Sequence, residues 1–238
     1  MTGRLYVLGV GPGDPELMTL KSVRILRQVA TVFVPKGREE GSSLALSIVE
    51  KAVDLSGKEI IEAYFPMKKT RGSAVQNDLD AQWQDTVEAV MERLNSGIDV
   101  AFITLGDPTI YSTFFYLHAR LLDLNPDISI ELVPGVSSIT ASAARSGTYL
   151  GIANDRVAIL PANYTEDLRD VLAQFETVVL MKVSKVFLSI VSTLKAVDLL
   201  DKAVYVARAG MEDEKIVRDL REVREEDLNY FSIVIIRK

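Results

Sequence analysis

The chain has 238 residues, of which 48% are hydrophobic and 25% are charged, so it is long and apolar enough to bury a core of its own. It contains no cysteine and a single histidine, His118, which excludes disulfides, thiolate nucleophiles and metal sites built from several histidines or cysteines. The formal net charge of −6 argues against a nucleic-acid partner, and the lack of any apolar run of about 20 residues argues against a membrane partner.

Short apolar runs rich in valine, isoleucine and phenylalanine recur along the whole chain. Several are apolar on both faces, as expected for strands of mainly parallel sheets that are covered on both sides. Apolar residues at helical spacing also predict helices over 20–30 and 79–94. The alternation of strands and helices predicts an α/β fold with mainly parallel or mixed sheets. The predicted strands span residues 5–10, 31–34, 58–63, 100–104, 128–133, 157–160, 177–181, 203–207 and 231–236.

The polar sequence DLNPD at 123–127 lies near the middle of the chain and predicts a domain boundary. We therefore expect one α/β domain over 1–124 and a second over 125–238. The polar stretch 66–77 interrupts the first domain and is predicted to be a mobile flap.

A glycine-rich turn, GVGPGDPE at 9–16, follows the first predicted strand. It is not a dinucleotide fingerprint, because Pro12 lacks an N–H group and Pro15 separates the loop from the next helix. No G-K-[ST] follows, so it is not a phosphate-binding P-loop either. A ligand-binding loop at the carboxyl end of a strand and a plain turn with left-handed glycines both remain open.

Two further predicted strands end in turns with small or hydroxyl side chains. In LGDPTIYSTF at 105–114, Asp107 before Pro108 predicts a helix that begins at Pro108 with Asp107 as N-cap. In PGVSS at 134–138, a serine is the expected cap of the next helix. Capping alone would explain either segment, but three such strand ends predict one shared cleft between the two halves.

These three segments together resemble the tetrapyrrole methylase family, which methylates ring carbons with S-adenosylmethionine. The resemblance rests on GVGPGDPELMTLKSVRIL, LGDPTIYSTF and PGVSS in the family's order and spacing, and it covers essentially the whole chain. Within the family, VFVPKG at 32–37, FPMK at 65–68 and YSTF at 111–114 are similar to the methylases of cobalamin biosynthesis that act on C-20 of precorrin-2 or cobalt-precorrin-2.

The resemblance implies two α/β domains with a cofactor cleft between them, usually in a homodimer. Ser137 and Ser138 stand where the family has a threonine–alanine pair, which keeps the small size but adds a second hydroxyl. The implied contacts of S-adenosylmethionine are Pro12, Leu105, Gly106, Asp107, Ile110, Ser137, Ser138, Met181 and Ala209.

A tetrapyrrole substrate carries several carboxylates, so an acidic protein needs local cations to bind it. Five cations cluster beside predicted strand ends, where a solvated charged surface is the alternative explanation. The predicted substrate contacts are Gly13, Asp14, Lys36, Arg38, Lys68, Lys69 and Arg71.

Methyl transfer removes the positive charge from a sulfonium. A carboxylate beside the sulfur would stabilise the reactants more than the transition state, so we expect backbone carbonyls and small side chains there. The ring carbon also loses a proton, and the candidate acceptors are Asp14, Glu16 and Tyr111. His118 is predicted to be a packed or surface helix residue, and no metal site is predicted.

The sequence leaves three alternative functions to consider. The first is a sister methylase that acts on another ring carbon or tetrapyrrole, such as uroporphyrinogen III. The second is a nucleotide- or tetrapyrrole-binding module without catalysis, and the third, a nicotinamide dehydrogenase, is disfavoured by the broken fingerprint. The N-terminus has no signal-peptide pattern, so we expect a soluble, cytoplasmic protein.

Overall fold

The computed structural model describes residues 2–37, 42–64, 73–164 and 167–238. The chain divides into two compact units, Met1–Ser137 and Ser138–Lys238. Each unit has its own sheet, its own helices and its own buried core.

The sheet of the first unit is built from parallel strands. Its described strands lie in the order β3-β2-β4-β1-β5, and each neighbouring pair is parallel. All five residues of β4 are buried, as the apolar sequence predicts for a strand covered on both faces. The strands are β1 (Leu5–Gly9), β2 (Thr31–Lys36), β3 (Glu59–Tyr64), β4 (Val100–Thr104) and β5 (Ile130–Val133).

Helices cover both faces of this sheet. On one face α1 and α2 pack against Leu8, Val32 and Ile103, and on the other α3 and α4 pack against Val7 and Phe102. Neighbouring residues of a strand point to opposite faces, which is why Val7 and Leu8 belong to different cores. The helices are α1 (Leu20–Gln28), α2 (Leu44–Ala52), α3 (Ser73–Asn95) and α4 (Phe114–Leu124).

The second unit has a mixed sheet in the order β6-β7-β10-β8-β9. The pair β6–β7 is parallel, whereas β10 runs antiparallel to both β7 and β8 and β9 runs antiparallel to β8. Its elements are α5 (Ser138–Ser146), β6 (Val157–Pro161), α6 (Leu168–Gln174), β7 (Thr177–Met181), α7 (Phe187–Ala196), β8 (Ala203–Ala207), β9 (Lys215–Val217) and β10 (Ser232–Arg237). Short 3-10 helices lie at Pro15–Leu17, Ala162–Tyr164, Val183–Lys185, Leu200–Lys202, Leu220–Glu222 and Glu225–Asp227.

The predicted α/β fold with parallel and mixed sheets is confirmed. The flap prediction is wrong for 73–77, which begin α3, because the alanine and glutamine of this polar stretch are compatible with a helix. Residues 66–72 of the predicted flap lie outside the described residues, and β9, with three residues, was not predicted.

The predicted domain boundary after residue 124 stays a prediction. The contacts divide the chain later, after Ser137, because β5 pairs with β1 and so belongs to the first sheet. In the described part of the chain, no helix has the length and apolarity needed to cross a bilayer.

One ion pair joins α3 to β3. The Arg93 guanidinium lies 2.5 Å from Glu59 Oε1, and the Thr31 hydroxyl donates to Glu59 Oε2 at 2.9 Å. The hydrogen bonds from Arg93 and then Thr31 lower the pKa of Glu59 from 4.5 to about 2. The Glu59 side chain is 49% exposed, so solvent screens the pair and keeps its contribution small.

We predict that Glu59→Gln lowers the free energy of unfolding by about 0.5 kcal/mol at pH 7. The folded-state pKa of Glu59 is depressed, so this stabilisation is present above about pH 4.5 and is lost as the pH falls towards about 2. Urea unfolding of both proteins at roughly pH 7, 4.5 and 2.5 measures the difference in their free energy of unfolding. Glu50→Gln is the control, and a difference that stays constant between pH 7 and 2.5 would contradict the assignment.

Candidate functional site

The loops that follow β1, β4 and β5 start from the same edge of the first sheet. These strands are neighbours in the order β4-β1-β5 and run parallel, so their carboxyl ends lie side by side. We call the segments 10–19, 105–113 and 134–137 the first, second and third loops. Ligands of open α/β sheets bind at this edge.

Backbone hydrogen bonds join the first and second loops beyond the ends of their strands. Gly106 N donates to Gly11 O at 2.8 Å, and Gly11 N donates to Gly106 O at 3.4 Å. Val10 N also donates to Thr104 O at 3.0 Å. The two loops therefore leave the sheet as a bonded pair.

The third loop approaches this pair through a contact between glycines. A Cβ atom on Gly9 would lie 2.6 Å from Gly135 N and 2.7 Å from Gly106 O, too close for any side chain. A Cβ atom on Gly135 would overlap the Gly106 carbonyl oxygen and lie 2.9 Å from Gly9 Cα. Gly9 and Gly135 are therefore required by close backbone approach, whereas Gly11 has the left-handed φ of 80° expected of a turn glycine.

Asp107 ties the second and third loops together. Its Oδ2 accepts a hydrogen bond from Gly135 N at 3.0 Å, and its Oδ1 accepts from Thr109 N at 2.8 Å and from the Thr109 hydroxyl. Both carboxylate oxygens are therefore committed to the loops. Charge-assisted bonds of this kind are stronger than neutral ones, so Asp107 fixes the relative position of the two loops.

The predicted helix start at Pro108 is wrong. The helix α4 begins at Phe114, and Thr113, without a side-chain capping bond, precedes it. Asp107 accepts from the N–H two residues ahead, as in an Asx turn, and Tyr111 adopts a left-handed φ of 52° that a right-handed helix does not allow. The Asp-Pro pair thus begins a turn rather than a helix.

The first loop is also internally ordered. Asp14 Oδ1 accepts from Glu16 N at 2.9 Å and caps the 3-10 helix Pro15–Leu17. Thr19 caps α1, and the buried Ser22 hydroxyl donates to Gly9 O at 3.1 Å. The helix α1 therefore holds the carbonyl of the glycine on which the loops converge.

Most residues implied for the cofactor lie at this edge of the first unit. Pro12, Gly106 and Ser137 are buried there. Gly13 and Asp14 lie in the same first loop and are half-buried, whereas Glu16 and Tyr111 are exposed. The structure thus brings these predicted residues together: Pro12, Gly13, Asp14, Leu105, Gly106, Asp107, Ile110, Tyr111 and Ser137.

The remaining implied contacts lie in the second unit. Ser138 is the first residue of α5. Met181 ends β7 opposite Ile233, and Ala209 follows the end of β8, whose last residue, Ala207, lies opposite Ser232. Met181 and Ala209 therefore belong to the same edge of the second sheet. The expected cleft between the halves stays a prediction.

The structure describes only some of the lysine and arginine residues that are predicted to bind the substrate. Lys36 Nζ donates to Glu62 Oε2 at 2.8 Å, and only 14% of the lysine side chain is exposed. A substrate carboxylate would have to compete with Glu62 for this ammonium. Four of the predicted contacts lie outside the described residues: Arg38, Lys68, Lys69 and Arg71.

His118 lies on α4, as predicted, and packs against aromatic rings. Its ring centroid is 5.8 Å from that of Phe114 and 5.6 Å from that of Phe115, both with tilted edge-to-face geometry. This packing accounts for the residue without a catalytic role.

Sequence reasoning missed Lys182, which follows Met181 directly. Its backbone is left-handed, with φ of 60°, and its Nζ lies 5.9 Å from the centroid of the Tyr230 ring. Burial lowers the pKa of its ammonium group. A lysine with a lowered pKa can bind a carboxylate or accept a proton. The only signal in the sequence is its position after an apolar strand.

The residues at the edge of the first sheet fit the cofactor that the resemblance implies. Backbone N–H and C=O groups and small side chains dominate the three loops, and these groups can bond the polar groups of a nucleoside. The Asp107 carboxylate already accepts bonds from Gly135 and Thr109, so it is not a bare anion available to a sulfonium.

Comparison with known proteins gives a family and close relatives. A sequence model of the tetrapyrrole (corrin/porphyrin) methylases matches residues 4–223. The chain is 36% identical to the cobalt-precorrin-2 C(20)-methyltransferase of Salmonella typhimurium, over 100% of this chain and 98% of that protein. It is 33% identical to the precorrin-2 C(20)-methyltransferase of a Sinorhizobium species, over 98% of this chain and 95% of that protein.

A solved structure supports the fold. The crystal structure of uroporphyrin-III C-methyltransferase from Thermus thermophilus, complexed with S-adenyl homocysteine, superimposes with a TM-score of 0.65. The two chains are 22% identical, and the superposition covers 99% of this chain and 98% of the other. At this identity the likeness concerns the fold.

We predict that Gly135→Ala pushes the three loops apart, because its Cβ would overlap the backbone of Gly106 and Gly9. The expected results are a loss of about 1–3 kcal/mol in the free energy of unfolding and weaker binding of S-adenosylhomocysteine. Urea denaturation and calorimetric titration measure the two effects.

Gly151→Ala is the matched control, because its Cβ would meet Val157 Cγ2 at an ordinary contact distance of 3.4 Å and its φ is not left-handed. This variant should unfold and bind like the wild type. Unchanged binding in Gly135→Ala would show that the close approach is not needed for the site.

Proposed function

This chain belongs to the tetrapyrrole methylase family, and we propose that it methylates C-20 of precorrin-2 or cobalt-precorrin-2 with S-adenosylmethionine in the biosynthesis of cobalamin. The carrying observation is the convergence of the first, second and third loops on one edge of the first sheet. The full-length similarity to C(20)-methyltransferases supports the choice of substrate and ring carbon.

The loops are suited to hold the donor rigidly. The backbone bonds between Gly11 and Gly106, the bond from Gly135 N to Asp107 and the glycine contacts leave the loop backbones little freedom. Bound S-adenosylmethionine supplies an electrophilic methyl group on a positively charged sulfur. A rigid seat favours the reaction because the transfer needs the methyl group and the attacking carbon aligned at about 3–3.5 Å.

The electrostatics of the loops also suit a reaction that neutralises a cation. A free carboxylate beside the sulfur would favour the reactants over the transition state. Both oxygens of Asp107 accept hydrogen bonds from the loops, namely from Gly135 N, Thr109 N and the Thr109 hydroxyl, and these bonds offset part of its negative charge. We infer that Asp107 shapes the loops and that carbonyls and small side chains surround the sulfur.

The reaction also requires a proton acceptor. A C–C bond forms as the C–S bond breaks, the sulfur keeps the bonding pair, and the methylated ring carbon gives up its proton. Asp14, Glu16 and Tyr111 remain the proposed acceptors from the sequence, although Asp14 already caps the 3-10 helix through Glu16 N. Lys182 joins them because it directly follows Met181, one of the implied donor contacts, and burial lowers the pKa of its ammonium group.

The assembly and cellular location remain proposals. We infer a homodimer in the cytoplasm, without nucleic-acid or membrane partners. Support comes from the family resemblance for the dimer, from the absence of cysteine for a reducing compartment, and from the net charge of −6 against nucleic acid.

We predict that this protein transfers a single methyl group from S-adenosylmethionine to at least one of two substrates, precorrin-2 and cobalt-precorrin-2. Each substrate is incubated separately with the donor and the protein. Mass spectrometry detects the added mass, and a carbon-13 label in the donor methyl locates it at C-20 by NMR. The relative rates on the two rings decide whether the natural substrate is metal-free or carries cobalt.

Uroporphyrinogen III is the control substrate. Methylation of that ring instead would favour the sister methylase, and methylation at another carbon of precorrin-2 would reject C-20. Binding of the ring or the donor without methyl transfer would favour a non-catalytic module. Binding of NADH would favour a nicotinamide dehydrogenase.

We predict that the double variant Lys68→Glu with Lys69→Glu binds precorrin-2 at least about tenfold more weakly, because two cations become anions facing a polycarboxylate. Anaerobic equilibrium dialysis at fixed ionic strength measures the dissociation constant. The control is Lys195→Glu with Lys202→Glu, which changes the net charge equally at exposed positions of the second unit. Equal dissociation constants for the two double variants would retire the proposed substrate contacts.

A further inference from the structure

Glu214 lies between β8 and β9 and is largely buried, although it is charged. Only 10% of its side chain is exposed. Burial raises its pKa, but the hydrogen bonds from Arg145 and from Gly210 N outweigh that effect, so the pKa lies below its usual value. A buried, ionised carboxylate is destabilising unless it is fully paired, so its partners define its role.

The partners of Glu214 come from two separate segments of the second unit. Arg145 on α5 donates from Nε to both carboxylate oxygens, at 2.8 and 2.9 Å. Gly210 N, in the turn after β8, donates to Oε2 at 2.7 Å. The carboxylate therefore links α5 to the turn that follows β8.

The backbone of that turn is conformationally restricted. Arg208 and Gly210 are both left-handed, with φ of 53° and 77°, and Ala209 lies between them. Met211 N donates to Arg208 O at 2.9 Å and closes the turn. Ala209 is buried, at 6% exposure, so it would reach a ligand through its backbone. The hydrogen bond from Gly210 N to Glu214 Oε2 therefore fixes the orientation of the peptide group between Ala209 and Gly210.

Both segments held by Glu214 carry positions that the family resemblance implies as contacts of the cofactor. Ser138 is the first residue of α5, and Arg145 lies on the same helix, which also packs against β8 and β10. Ala209 precedes Gly210. A rigid helix transmits the position of one of its residues to the others, so fixing Arg145 also restrains Ser138.

We propose that Glu214 is a positioning residue for the methyl donor, which holds the Ala209–Gly210 peptide against α5 in the arrangement that binds S-adenosylmethionine. The inference rests on the proposed function. Glu214 acts through Gly210 N and Arg145 and not through contact with a reacting atom.

The test uses the full chain and measures donor binding separately from catalysis. Glu214→Ala should weaken S-adenosylhomocysteine binding about tenfold by calorimetry and raise the KM for S-adenosylmethionine by a similar factor. At saturating donor, kcat and the KM for precorrin-2 should stay within about threefold of the wild type. Glu214→Gln keeps an oxygen that can accept from Gly210 N and should recover a large part of the donor affinity.

The Arg156–Glu176 pair in the same unit provides a matched control. Arg156 Nη2 lies 2.9 Å from Glu176 Oε1, and the backbone N–H of the same arginine donates to Glu176 Oε2 at 2.7 Å, so this carboxylate also pairs with an arginine side chain and a backbone N–H. Neither residue is among the proposed cofactor contacts. Glu176→Ala should therefore leave the donor affinity unchanged.

The outcomes separate this inference from the proposed function. Unchanged donor affinity in Glu214→Ala, or an equal loss in Glu214→Ala and Glu176→Ala, would overturn the positioning role. If Glu214→Ala does not fold, the double variant Glu214→Gln with Arg145→Ala replaces it. Wild-type donor affinity and wild-type KM in that double variant would also overturn the positioning role. Failure of the wild type to bind or use the donor would instead reject the proposed function itself.

Discussion

The candidate site depends on a contact between backbones that leaves no room for side chains. Gly9 at the end of β1 meets Gly135 after β5 and Gly106 after β4, at distances that exclude a Cβ atom on Gly9 or Gly135. Parallel pairing brings the three strand ends to one edge, and the absence of side chains lets the loops touch there. The bonds of Asp107 then fix loops that the glycines have allowed to meet.

The two sheets support their loops in different ways. In the first unit, parallel neighbours place successive loops on one edge, and helices on both faces bury the strands. In the second unit, β10 runs antiparallel between β7 and β8. Its first residue and the residue before it bond to the positions just after both strands: Lys182 N donates to Ser232 O and Arg208 N to Phe231 O. The left-handed residues Lys182 and Arg208 follow β7 and β8, so the chain turns sharply at the end of each strand.

Much of the fold could be predicted because burial leaves a clear pattern in the sequence. Runs such as 100–104 and 177–181 match β4 and β7, since buried strands need apolar residues on both faces. The three loops could also be located by their glycines and their place after strands. The helix start at Pro108 was wrong because the local Asp-Pro signal fits a turn equally well, and Tyr111 turns the chain the other way. The roles proposed for Glu214 and Lys182 have no local signature, because their partners Arg145 and Tyr230 are brought close only by folding.

The position of β10 bears on how the protein is made. This strand lies in the middle of the second sheet but is the last of its strands in the chain, so β7 and β8 have no central partner until Ser232–Arg237 has left the ribosome. The first sheet, by contrast, has all its described strands by Val133. Domains generally fold as units during synthesis, with the N-terminal one first. The first sheet can therefore assemble while translation continues, whereas the second unit keeps the edges of β7 and β8 open until Ser232–Arg237 is free to pair with them.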